Sequence, residues 1–455
     1  MAITTVNPST GKRIANYSEM SSAQIEEVLR ATEDTFQSWR RFDLSERIEP
    51  LRRLADHLRT RASEYAELMA EEMGKPLNAA EQEIHKCAWV CDYYSESAPE
   101  SLADQIVESD ASRSLVTFQP LGIILAIMPW NFPFWQVVRF AAPTLTAGNA
   151  AILKHAPNVT GCGLALEELF RTAGYPEHLF RTLVVDVPEV DTIIRDDRIK
   201  AVTLTGSTTA GRAVAAAAGS VIKKSVLELG GSDPSVILAD ADLDVAADAC
   251  VESRLNNSGQ SCIAAKRLIV VQSVRDAFQA RVVNRMSEVV PGDPTEPATT
   301  LGPIARFDLR ENLHRQVTIS VAHGARVVLG GELPEGPGFF YPPTVLTDVG
   351  PGMPAYDEEL FGPVVSIIPV ADEDEALRVA NTTVYGLGAS IYTSDVEKGE
   401  RLASEWLEAG ACFVNSFVRS DPRLPFGGIK QSGYGRELSP MGIREFVNVK
   451  TVWVA

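Results

Sequence analysis

Among the six cysteines of the chain, only Cys262 lies in a segment of small and polar residues, NNSGQSCIAAKR, rather than in a helical apolar pattern. A lone cysteine is more often a small buried hydrophobe than a nucleophile. Catalysis needs helpers that lower the thiol pKa or hold a substrate beside it. Three segments offer them. In KKSVLELGGSDP an apolar run ends in Glu228, just before Leu229 and the Gly230-Gly231 pair, and strand ends are where α/β sites are built. In IMPWNFPFWQVVRF, Asn131 stands between prolines and aromatics, a rigid setting from which its amide can donate to a developing oxyanion, although the same tripeptide suits a tight turn. AVTLTGSTTAGRAV passes through Gly206 and Ser207 into a helix beginning near Thr208, which would aim backbone N–H groups at a diphosphate. The G-x-G-x-x-G fingerprint is absent, so this segment alone is a weak dinucleotide signal.

The elements that must position these groups are legible as a change of texture. From Ala23 to Gln105, apolar residues recur at three- and four-residue intervals, as in IEEVLRATEDTFQSW, which predicts several amphipathic helices. QIVESDASRSLVTFQP follows as a hairpin turning around Ser109 to Arg113. Beyond Leu121, short apolar runs (LGIILAIM, AAILKHA, TLVVDV, AVTLTG, SVLELGG) alternate with helical stretches, the pattern of a parallel sheet covered on both faces. PSVILAD, KRLIVVQ, TVLTDV, VVSIIPV, ASIYTS and ACFVNS repeat that rhythm from Pro234 to Ser416, with the turn residues ELGGSDP between the two series. The tail EFVNVKTVWVA reads as a strand without a sequential partner, expected to pair with another subunit's edge in an oligomer.

At 455 residues two or three domains are expected. A net charge of −18 without a basic run excludes nucleic acid and anionic membranes as natural partners. The first twenty residues lack an apolar core and the longest apolar runs fall short of a membrane span, so the expectation is a soluble cytoplasmic enzyme. Sparse cysteines and six scattered histidines without C-x-x-C or H-x-x-x-H spacing give no support to a disulfide scaffold or a metal site.

Taken together the segments resemble the aldehyde dehydrogenase superfamily from Asn7 to the C-terminus. The marks are PWNFP (Pro129 to Pro133), LK (Leu153, Lys154), TGS (Thr205 to Ser207), ELGG (Glu228 to Gly231), GQSC (Gly259 to Cys262), EELFGP (Glu358 to Pro363) and PFGGIKQSGYGRE (Pro425 to Glu437), in the family's order. The resemblance implies two Rossmann-like parallel-sheet domains plus a small β oligomerisation element. Residues 1–101 and 121–231 would form the cofactor-binding domain, 232–430 the catalytic domain, and 102–120 with 440–455 the oligomerisation element of a homodimer or homotetramer. It also implies roles: Cys262 as nucleophile, Asn131 as oxyanion donor, and Glu228 as the base that activates water against the thioester, favouring a free acid product. Cofactor contacts would fall on Met128, Pro129, Trp130 and Lys154 at the adenosine side, Gly206 and Ser207 at the diphosphate, and Leu229, Glu359 and Phe361 around the nicotinamide and its ribose.

Many NAD-using relatives carry a Glu three positions after the lysine that Lys154 resembles, where a carboxylate would repel a 2′-phosphate. Here that position is Pro157, and His155 adjoins Lys154, so the expected cofactor is NADP, with NAD also accepted. If the stretch after Pro133 is helical, Trp135 and Arg139 share a face. A buried Arg either pairs with an internal acid or waits for an anionic ligand. With Ser420 in SDPRLPFGG, and with KHAPN, this looks like the succinate-semialdehyde dehydrogenase subgroup, whose Arg and Ser hold the far carboxylate. Alternatives are a broad-specificity aliphatic or glutarate-semialdehyde dehydrogenase, and a cofactor-free cysteine hydrolase, which the lack of a His near the strand ends disfavours.

Overall fold

The computed structural model describes residues 2–455. Two mostly parallel sheets dominate it. The first runs in the order Gly433–Tyr434, Lys224–Glu228, Ile199–Thr205, Ile123–Met128, Ala150–His155, Phe180–Thr182. All neighbours are parallel except the edge pair formed by Gly433–Tyr434. Its central strand, IILAIM, is continuously apolar because helices cover both faces: Ile123, Ile124 and Leu125 are fully buried, each contributing about 1.5 to 3 kcal/mol of hydrophobic stabilisation. The chain fills one side of this strand and then returns to the other, so a crevice opens beyond the carboxyl ends of Ile123–Met128 and Ile199–Thr205.

The second sheet runs Arg326–Leu329, Thr344–Thr347, Val364–Val370, Arg267–Val271, Pro234–Ile237, Gly388–Tyr392, Ala411–Val414. Only the first pair is antiparallel, and the other neighbours are parallel. Four long helices, Ser22–Trp39, Leu44–Thr60, Ala62–Met73 and Leu77–Ser101, form the expected helical opening section. Two strands that periodicity did not reveal, Ala2–Val6 and Arg13–Ser18, precede it as a hairpin. TLVVDV, read as a strand, is strand only at its first residue, since the strand is Phe180–Thr182.

The tail corrects one expectation. Val447–Val454 pairs with Arg113–Pro120 of its own chain over eight residues, and Gln105–Ile106 completes a three-stranded sheet. The hairpin segment supplied the partner that the sequence order concealed, leaving the outer edge of Val447–Val454 open. Among the described residues no helix is long and apolar enough to cross a membrane.

Candidate active site

Cys262 follows a tight turn, Asn256–Gly259, and precedes the strand Arg267–Val271. The turn holds Asn257 and Ser258 at φ 54° and 55° and Gly259 at 76°. Glycine is required at 259 because a Cβ would lie 2.2 Å from the Gly362 carbonyl, where the EELFGP segment crosses. The buried Arg254 ties the two loops by donating to the Gly259 and Leu360 carbonyls. Asn131 is stitched to the same turn: its Nδ2 donates to the Gln260 carbonyl at 3.0 Å, and Asn257 Nδ2 donates to the Asn131 carbonyl at 2.6 Å. An amide nitrogen carries two hydrogens, so one remains for an oxyanion beside Cys262. Burial pushes the Cys262 thiol up to about 12, and Lys266 is the first charge opposing it. Lys266 Nζ donates to the Cys262 carbonyl at 2.7 Å and the Ser261 carbonyl at 3.0 Å, and lies 3.6 Å from Glu359.

Glu228 closes the strand Lys224–Glu228, buried, with neither carboxyl oxygen bonded among the described residues. The PFGGIKQSGYGRE segment wraps it: Gly433 pairs with Glu228 in the sheet, and Gly427, at φ 153°, places its Cα where a Cβ would come 2.7 Å from the carboxylate. Burial raises the Glu228 pKa well above the ordinary carboxylate value; Glu437 raises it further and Arg139 opposes. Two acids sharing a dry site cannot both ionise cheaply. Glu437 is the member with a counter-ion, since Arg139 Nη2 lies 2.5 Å from it.

The expected cofactor residues gather along the crevice of the first sheet. Met128 ends one strand beside His155, which ends the next. Pro129 and Trp130 follow, and the Trp130 ring meets Phe361 edge-on at 5.7 Å. Gly206 N–H donates to the Glu228 carbonyl, and Ser207 caps the helix Thr208–Ser220 by accepting from Ala210 N–H. Leu229 packs on the first turn of that helix, against Gly211. Glu359 accepts from Gly231 N–H at 3.0 Å. Lys154 has no ion-pair partner among the described residues, Pro157 is exposed, and both amide atoms of nearby Asn158 are buried and unpartnered. A helix N-terminus for phosphate, an unpaired lysine and an unsatisfied amide fit a dinucleotide.

His155 does not join them. Its Nδ1 lies 3.0 Å from Ala156 N and 3.2 Å from the Met128 carbonyl, and its Nε2 lies 2.9 Å from the Pro133 carbonyl, so both ring nitrogens are occupied by backbone. Burial lowers its pKa to about 4. A buried neutral imidazole held by backbone on both nitrogens is poorly suited to hold a phosphate.

On the other side of Cys262 lies a cavity of about 330 Å³ lined by Lys86, Trp135, Arg139, Cys262, Ser420 and Phe426, among others. The helix Trp135–Thr146 forms as expected and carries Trp135 and Arg139. Of the two fates open to Arg139, the internal acid prevails: besides Glu437 it stacks on Phe426 at 4.8 Å. Lys86, which sequence reasoning missed, donates to Ser420 Oγ at 2.7 Å and sits 4.5 Å over the Trp135 ring. Its only signal was a lysine within the stretch Ile84 to Cys87 of a helix that is buried along much of its length. Glu437 was quoted in its motif without a role because its partner is remote in sequence.

The chain matches the aldehyde dehydrogenase family over residues 1–452. A protein of Synechocystis named probable succinate-semialdehyde dehydrogenase (NADP+) is 50% identical over 455 residues, 100% of both chains. Escherichia coli succinate semialdehyde dehydrogenase (NAD(P)+) is 45% identical, covering 98% of this chain and 97% of its own. The crystal structure of the succinic semialdehyde dehydrogenase of Streptococcus pyogenes with NADP+ superposes with a TM-score of 0.97 at 38% identity, covering 100% of both chains.

Proposed function

The chain belongs to the aldehyde dehydrogenase family, and on that premise we propose that it oxidises succinate semialdehyde to succinate with NADP, accepting NAD as a second choice. The observation that carries the reading is the cavity itself. Cys262 shares it with Arg139, Lys86 and the Ser420 hydroxyl, a cationic wall suited to an aldehyde bearing a distant carboxylate. The names and cofactors of the similar proteins point the same way.

In the mechanism, Cys262 loses its thiol proton to water in the cavity, against the pull of burial, and the thiolate attacks the aldehyde carbon. The oxyanion receives the free Asn131 Nδ2–H and the Cys262 N–H. A bound nicotinamide would supply the acceptor for the hydride released from the thiohemiacetal carbon. Lys154, Gly206, Ser207, Leu229, Glu359 and the Trp130–Phe361 pair would hold the dinucleotide. Glu228 then takes a proton from the water that attacks the thioester, releasing the acid and freeing Cys262. Its unpaired, dry carboxyl is suited to that task because its raised pKa makes it a stronger base than a solvated glutamate.

Domain roles follow: the first sheet with the opening helices binds cofactor, the second carries Cys262, and the sheet containing Val447–Val454 joins subunits of a homo-oligomer. Six free thiols suit a reducing cytoplasm. The test is kcat/KM for succinate semialdehyde and for butanal, each with NADP and with NAD. A tenfold or greater preference for the semialdehyde is expected, equivalent to about 1.4 kcal/mol. Equal values would make the enzyme a generalist, and NAD preferred over NADP would overturn the reading of Pro157 and Lys154.

A further inference from the structure

Arg139 is the obvious cation for a substrate carboxylate; it lies beside Glu437 and stacks on Phe426, although its Nε and Nη2 make no hydrogen bond among the described residues. Lys86 is in the opposite position. It projects from the helix Leu77–Ser101 into the cavity that contains Cys262, and it has no ion-pair partner among the described residues. The two acids nearest to it are committed elsewhere. Glu83 is paired with the buried Lys75 and accepts from Phe134 and Trp135 N–H. Asp421 is paired with Arg423. A half-buried ammonium short of a counter-ion, with one hydrogen on Ser420 and two to spare, is a receptor for an anion.

We propose that Lys86, beside the Ser420 hydroxyl, makes a direct contact to the far carboxylate of the substrate and is a specificity-determining residue of the cavity. The proposal rests on the reading of the substrate as a semialdehyde acid. The Trp135 ring beneath the ammonium restricts where it can reach, so Lys86 selects chain length as well as charge: a carboxylate too near the aldehyde would not meet it once the carbonyl carbon is at Cys262.

A pH signature accompanies the geometry. Lys86 is faced by Glu83 and Cys87 of its own helix, by Arg139 of the helix Trp135–Thr146, by Asp421 of the loop after Ser420, and across the cavity by Glu252, Arg419 and Cys262. Burial and then Arg139 lower its pKa to about 8. Above that pH the neutral amine no longer attracts a carboxylate, so the preference for the semialdehyde over butanal should fall as pH rises through about 8.

The experiment compares wild type, Lys86→Met and Lys86→Arg in the ratio of kcat/KM for succinate semialdehyde to that for butanal, from pH 6.5 to 9.5. Wild type is expected to favour the semialdehyde at low pH and lose part of that preference above pH 8. Lys86→Met should cut the ratio at least tenfold, mainly through KM, and remove its pH dependence. Lys86→Arg should restore most of the ratio and hold it to higher pH, because a guanidinium stays charged. A wild type with the preference that Lys86→Met retains would overturn the anchor alone. A wild type without any preference would overturn the substrate reading and the anchor with it. Equal losses for both substrates in Lys86→Met and Lys86→Arg would show that Lys86 only supports the wall.

Discussion

In the proposed mechanism Glu228 would have to be ionised to activate water, in a place where burial and Glu437 both favour its proton. Activity limited by thioester hydrolysis is therefore gained as pH rises through a Glu228 pKa above the ordinary carboxylate range, and lost on acidification. Glu228→Gln should give one burst of reduced cofactor followed by turnover about 10²- to 10⁴-fold slower, as stopped-flow absorbance would show; an undiminished steady rate would remove Glu228 from the base role. Glu437→Gln removes the like charge and releases Arg139 to act on Glu228. Both changes lower the Glu228 pKa, so the acid limb of the kcat profile should move to lower pH. A limb that stays in place would mean the two carboxyls do not sense each other.

At the scale of elements, the loop bearing Asn131 owes its place to a buried cap. Glu83 accepts from the first two N–H groups leading into Trp135–Thr146, each at 2.9 Å, and pairs with Lys75, whose ammonium lies 3.9 Å over Phe132. Glu83→Ala leaves a buried lysine unpaired and the helix N-terminus uncapped, costing about 3 to 5 kcal/mol. The midpoint of thermal unfolding should fall clearly, and Glu83→Gln, which keeps the acceptor, should fall less. Such cross-chain pairs explain what the sequence hid. The parallel strands and the helix after Pro133 were legible because continuous apolar runs and 3.6-residue periodicity are local. The partners of His155, Arg139 and Val447–Val454 were not, because each is chosen by tertiary contact: two backbone carbonyls, a glutamate near the end of the chain, and a strand more than three hundred residues earlier.

For the whole molecule, the open edge of Val447–Val454 presents Val449, Trp453 and Val454 to solvent, and Ile106 and Val107 are exposed on the opposite edge of the same small sheet. Apolar side chains on an unpaired edge favour association with another copy. Light scattering after size exclusion should find a dimer or tetramer for wild type and a smaller species for Val449→Asp; a monomeric wild type would refute the assembly. The strand Gly433–Tyr434 carries a different consequence. It completes the edge of the first sheet, and Ser432 Oγ bonds the Gly230 carbonyl across 202 positions of chain. During synthesis the segments emerge in order, so most of the first sheet can assemble while Glu228 still faces water at an unfinished border. Only when residues near 433 leave the ribosome does the base become desolvated, which makes catalytic competence one of the last properties a nascent molecule acquires.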